Sequence, residues 1–223
     1  MGKRIEVNQP IRTKSPVTCT GETYLAGNIT AAQSNITFDG PVVLAGNTPI
    51  VLSTGASKGD VRFNGPLDGQ GAYSALAISA GDGTVAFHGS IGEITPLNKL
   101  QTTAKDVQIG SVGGEASGVE EISVRAKNNI DLKGNRYNTG KQTWEADHFI
   151  VDASTQFISH GKDIAFERGS VVFKGETFQA NTGKGEFKFF AIEAPKKANI
   201  SLSAGVLSSG EISAPLSPDK HRG

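Results

Sequence analysis

An all-β fold, a single parallel β-solenoid, is what this sequence predicts, and three observations predict it. A short strand motif recurs at near-constant spacing, a second motif runs in step with it, and the segments between them are rich in Gly, Asp, Asn and Lys.

The first motif is a branched aliphatic, any residue, a Phe or aliphatic, and then in most copies one further residue and Gly. It reads Ile36-Thr-Phe38-Asp-Gly40, Val61-Arg-Phe63-Asn-Gly65, Val85-Ala-Phe87-His-Gly89, Val107-Gln-Ile109-Gly110 and Ile130-Asp-Leu132-Lys-Gly134, at successive offsets of 25, 24, 22 and 23 residues. Its central residues, Thr37, Arg62, Gln108 and Asp131, are polar, with Ala86 the exception. That alternation is what a strand with one wet face requires.

The second motif, apolar-x-apolar-x-Ala, reads Leu76-Ala-Ile78-Ser-Ala80, Leu100-Gln-Thr102-Thr-Ala104, Ile122-Ser-Val124-Arg-Ala126 and Phe149-Ile-Val151-Asp-Ala153, with Ile50-Val-Leu52-Ser-Thr54 a looser copy. Beyond Asp152 the register blurs, although Ile164-Ala-Phe166, Val171-Val-Phe173, Phe190-Ala-Ile192 and Ile200-Ser-Leu202 keep the alternation. A unit of roughly 22–25 residues carrying two or three short strands is the size of one solenoid coil, whose equivalent strands stack about 4.8 Å apart.

The rival architecture is an antiparallel β-sandwich or meander, for which the Asp82-Gly83 pair is a hairpin signal. Units matched in length and register favour the solenoid, because each coil must stack on its twin. The predicted organisation is an N-terminal cap or frayed end over 1–16, the solenoid over 17–205, and a polar tail over 206–223.

Composition narrows the partners. Lys plus Arg and Asp plus Glu number 22 each, balanced on either side of Gly110, so no basic stripe offers itself to nucleic acid. No stretch is apolar enough to predict membrane insertion, and the start, Met1-Gly-Lys-Arg-Ile5, leads into no apolar run of signal-peptide length. With Cys19 the only cysteine, neither a disulfide framework nor a thiolate zinc site is predicted.

The strings Gly59-Asp-Val-Arg-Phe63-Asn-Gly65-Pro-Leu-Asp-Gly69 and Ala80-Gly-Asp-Gly-Thr-Val85-Ala-Phe87-His-Gly89-Ser-Ile-Gly92, with Thr95-Pro-Leu-Asn-Lys-Leu100 and Asn138-Thr-Gly-Lys-Gln-Thr-Trp144, resemble repeats of bacterial filamentous-haemagglutinin-like adhesins and autotransporter passengers. The resemblance covers roughly residues 17 to 175. It implies a right-handed β-helix at the cell surface or secreted, part of a longer exported protein, that acts as a rigid stalk or adheres to a protein or glycan on a host or neighbouring cell. The alternatives are a scaffold of the cytoplasm or envelope that self-associates end to end through its terminal coils, and, least favoured, a carbohydrate-active β-helix enzyme. A cytoplasmic place, or export without a cleavable signal, is the alternative location.

No residue is predicted to be catalytic, cofactor-binding or metal-ligating. The nearest candidate is the residue before each Ile/Val-x-Phe strand: Asn35, Asp60, Thr84, Asp106, Asn129 and Asp163. Such a column could hold calcium, but Asn and Thr interrupt the carboxylates, so turn capping is the favoured role. His88, His148 and His160 lack metal-ligand spacing and are expected at turns or facing solvent. Cys19 is expected as a small core residue. Trp144, Tyr24, Tyr73 and Tyr137 are weighed as sugar-stacking platforms, with Trp144 and Tyr24 read instead as fillers at a coil corner.

Overall fold

In a computed structural model, which describes residues 4–46, 48–71, 73–115 and 118–213, the chain winds as a β-solenoid of about 9 turns, with about 22 residues per turn and no helix among the described residues. Every strand pairing is parallel, and each joins a strand to its equivalent one coil away, which excludes the sandwich and the meander.

Each coil has three faces. Face A carries two inward columns: Ile29, Leu52, Ile78, Thr102, Val124, Trp144 and Phe166, and beside it Ile50, Leu76, Leu100, Ile122, Gln142, Ile164, Phe187 and Leu207. Face B carries two: Val17, Ile36, Val61, Val85, Val107, Ile130, Phe149, Val171, Ile192 and Ile212, and beside it Cys19, Phe38, Phe63, Phe87, Ile109, Leu132, Val151 and Phe173. Face C stacks Ile5, Thr23, Val42, Leu67, Ile91, Val112, Tyr137, Phe157, Ala180 and Leu202. Face C is the one the two repeating motifs do not mark. Its signal is a single apolar residue two positions past the motif glycine, in Gly40-Pro-Val42, Gly65-Pro-Leu67, Gly89-Ser-Ile91 and Gly110-Ser-Val112.

The inward columns form one continuous core. Phe38, Phe63 and Phe87 lie one on another with ring centroids 4.9 Å apart and planes within 17° of parallel, the spacing of the coils themselves. Further on, the core changes character. Tyr137 stacks on Phe157 and meets Trp144 edge-on, while Phe166 packs edge-on against Phe149, Phe157 and Phe187. Edge-to-face contacts fill a wider interior than a single stack does.

The glycine that closes each first motif has a steric reason. At the corner between faces B and C successive coils approach so closely that a Cβ on Gly40, Gly65, Gly89, Gly134 or Gly175 would lie 2.4–2.6 Å from backbone of the coil before. Any side chain there pushes two coils apart.

The register differs from the sequence reading at Phe190, which is 65% exposed while Phe189 is buried, so Phe190-Ala-Ile192 does not keep the alternation, and in two further places. Phe149-Ile-Val151 belongs to face B, paired with Ile130 and Leu132, and the face A rung of that coil is Gln142-Thr-Trp144, paired with Ile122 and Val124. The polar Gln142 hid it: the side chain is fully buried and its Nε2 donates to the carbonyls of Tyr137 and Ile158, 3.0 and 2.9 Å away. Ile164-Ala-Phe166 likewise continues face A, one coil on. The stack also reaches outside 17–205. Arg4–Val7 pairs with Glu22–Leu25, Ile11–Thr13 with Ile29–Ala31, and Val206–Ser213 with Glu186–Glu193, so part of the expected cap and tail is strand. Residues 214–223 of that tail lie outside the described residues.

Phe63→Ala removes a fully buried ring between two others and should cost roughly 3–5 kcal/mol, whereas the exposed Arg62→Ala should cost under about 0.5 kcal/mol. Gly65→Ala, although small, should cost about 1–3 kcal/mol by overpacking. Chemical denaturation measures all three. Hydrogen exchange on Phe63→Ala should show protection lost mainly between residues 35 and 90; loss spread evenly along the chain would contradict a one-dimensional stack.

Candidate functional site

Where strand pairing stops at a corner, backbone N–H groups lose their ladder partners and must find others. This is what the Asx residues supply. Asn35 Oδ1 accepts from the N–H of Asp60 and Asp60 Oδ1 from that of Thr84, each at 2.9 Å. Asp106 Oδ1 accepts from Asn129, through its N–H at 3.3 Å and its Nδ2 at 2.8 Å. The side chain of one coil thus caps the next, and either Asn or Asp serves, since only an acceptor oxygen is needed. Asp163 does the same for Glu186 but starts a face A strand, so it stands outside this column. The column's next members are His148 and Ser170.

The three histidines of the described residues fall at three different corners: His148 between faces A and B, His88 between B and C, and His160 between C and A. Cys19 is buried at the first rung of the Phe column, and burial raises its thiol pKa, with a hydrogen bond from Thr23 opposing; a protonated thiol is a poor nucleophile. Trp144 and Tyr137 are fully buried and cannot stack on sugars. Trp144 points into the core rather than filling a corner. Tyr24 is half-buried under the Arg4 guanidinium, 3.8 Å from the ring centroid. Tyr73 alone of the four is exposed.

A polar groove on the surface was not legible as a motif. A second polar column runs along the B/C corner one residue past the inward Phe position. Asn64 Nδ2 donates to Asp39 Oδ1 at 2.8 Å, and His88 Nδ1 lies 2.9 Å from Asn64 Oδ1. Two coils further on, Lys133 bonds Asp152, which also accepts from Lys174 at 3.1 Å. Between His88 and Lys133 the column position is occupied by Gly110. The backbone bonds show this: the N–H groups of Asn64, His88, Gly110 and Lys133 reach, in turn, the carbonyls of Phe38, Phe63, Phe87 and Ile109. This corner is also the shortest of its neighbours, with two residues between Ile109 and Val112 against three between Phe87 and Ile91 and four between Leu132 and Tyr137. One missing side chain and one shortened corner open a groove of about 900 Å³, lined by His88, Glu93, Gln108, Ser111, Asn135 and Gln156 among others.

Its charged walls are neutralised locally. Lys133 sits between Asp152 and Asp131, and Arg136 lies 3.8 Å from Glu115. Lys133 and Lys174 hold the Asp152 carboxyl below its usual range. Asp131 behaves oppositely. Burial raises its pKa more than Lys133 lowers it, and its Oδ1 is buried without a partner.

No protein-family profile matches the chain, and no curated protein or solved structure is significantly similar to it. The fold defines the class, a β-solenoid repeat protein.

A carboxyl whose folded pKa is raised favours folding when protonated and loses that contribution as pH rises through the folded pKa. Asp131→Asn should therefore raise the melting temperature at pH 7. The gain should vanish below the ordinary carboxyl value of about 3.9, where both side chains are neutral. Thermal melts of both proteins across that range test the sign.

Proposed function

We propose that the protein is a non-enzymatic β-helical module, at the cell surface or secreted as part of a longer exported protein, that serves as a rigid stalk and contacts a partner on a host or neighbouring cell through its side. The observation that carries this reading is the pairing of continuous inward columns with an outward polar groove. About 9 coils at about 4.8 Å each give a rod of about 40 Å. Its stiffness comes from ladders that run unbroken from coil to coil, and its side faces display polar groups in fixed rows. The adhesin-like repeats Gly59–Gly69 and Ala80–Gly92 support the same reading.

The experiment couples the protein to fluorescent beads and counts their attachment to cultured epithelial cells and to bacteria. Several-fold more attachment than albumin-coated beads is expected on at least one cell type. Equal attachment on all of them would overturn the adhesive reading.

A second reading, end-to-end self-association, is favoured by one observation. On the last described strand Val206, Leu207 and Ile212 are 57%, 50% and 47% exposed, and Leu207 and Ile212 continue the inward columns above Phe187 and Ile192. Such a surface suits the edge of another coil. Light scattering over a wide concentration range should then show a mass that grows with concentration; a constant monomer mass would sink it.

A further inference from the structure

We propose that the groove at Gly110 is a binding site for a neutral oligosaccharide, seated along the solenoid axis with one of its sugar rings in the position that Gly110 leaves empty. This rests on the adhesive reading only for its biological setting; the chemistry is local.

The hydrogen-bond chain along the corner fixes what that position requires. Asp39 offers only acceptors, so the amide of Asn64 turns its Nδ2 toward Asp39 and its Oδ1 toward His88. His88 must then donate from Nδ1, which leaves Nε2 of the neutral ring as an unengaged acceptor. One coil beyond Gly110, the Lys133 ammonium has three N–H donors, shared with Asp152 and Asp131. The empty position thus lies between an acceptor and a donor about 10 Å apart, two coil spacings. One hydroxyl is too short to reach both, since each hydrogen bond is about 3 Å long, but two hydroxyls on opposite sides of one sugar ring span the gap, one donating to Nε2 and the other accepting from Lys133. A carboxylate or sulfate, having only acceptors, would set its lone pairs against Nε2.

The walls repeat this pattern. Gln108, Asn135 and Gln156 each place a donor and an acceptor side by side, Ser111 contributes a hydroxyl and Glu93 a carboxylate. Polyols need such mixed rows, because every sugar hydroxyl both gives and takes a hydrogen bond. A polyanion would need free cations, and Lys133 and Arg136 already face carboxylates. A protein partner would need apolar anchors. None of the exposed large apolar side chains, Tyr73 and Ile94 included, lines the groove. Length fits as well. The lining residues come from four consecutive coils, represented by Ser90, Ser111, Arg136 and Gln156, which span about 15 Å, room for a short oligosaccharide.

The test is nitrogen-15 shift mapping of the whole chain with cellotetraose and chitotetraose, and with a heparin tetrasaccharide as the polyanionic arm. Saturable shifts confined to residues 87–93, 108–115, 133–136 and Gln156 are expected with at least one neutral sugar. His88→Ala and Gln108→Ala should each weaken binding about tenfold, the worth of one good hydrogen bond, with unchanged melting temperature, while Arg62→Ala should leave binding unchanged. Binding of heparin alone, shifts outside the groove, or no shift with any neutral sugar would each overturn the proposal. The bead assay separates the two readings: attachment that persists in His88→Ala and Gln108→Ala means an adhesive surface elsewhere, and loss of attachment together with loss of sugar binding ties both to this groove.

Discussion

Parallel backbone pairing between successive coils fixes the distance at which every side chain meets its counterpart, and most of this protein's chemistry follows from that distance. At about 4.8 Å a Phe can rest flat on a Phe, as at Phe38, Phe63 and Phe87. At the corner between faces B and C a Cβ would collide with backbone of the coil before, so only a hydrogen fits, and the motif glycines stand there. Where the ladder breaks, one coil's side chain caps the backbone of the next, so Asn and Asp recur at the corner between faces A and B. Core, turn and cap are one constraint expressed at three radii from the axis.

The same constraint explains how a repeat protein acquires a local site without adding anything. The B/C corner carries a row of outward polar side chains that satisfy one another from coil to coil, Asp39 to Asn64 to His88 and Lys133 to Asp152 to Lys174. Gly110 breaks that row. The groups on either side keep unspent hydrogen-bonding capacity, and the shortened corner leaves room to reach them. Asp131 shows the opposite situation, a carboxylate held partly out of water with too little compensation.

Interior polarity is tolerated unevenly. Gln142 uses its amide N–H groups to tie a corner together, and Tyr137 donates to the Ile109 carbonyl while accepting from the Gly134 N–H. Thr102 Oγ1, Gln142 Oε1 and Trp144 Nε1 are buried without partners, a desolvation cost that the aromatic cluster around Phe157 and Phe166 must offset.

By itself the sequence determined the solenoid, the coil length, and the inward places of Phe63 and Phe87, because those depend on a two-residue alternation and a fixed period, both written along the chain. It also determined that Asn35, Asp60 and Asp106 belong at turns, since an acceptor oxygen next to a strand start has a local use. Face C, the true register of Gln142-Thr-Trp144, the displacement of Asp163 from its column, and the groove were decided only by the tertiary structure. In the middle coils face C rests on one apolar residue each, Leu67, Ile91 and Val112, too sparse to stand out. Gln142 breaks the apolar pattern because its partners are carbonyls brought to it by the corner and by the following coil. The groove is an absence, one side chain missing between two others more than 40 residues apart in sequence, and an absence takes shape only when its neighbours have been stacked around it.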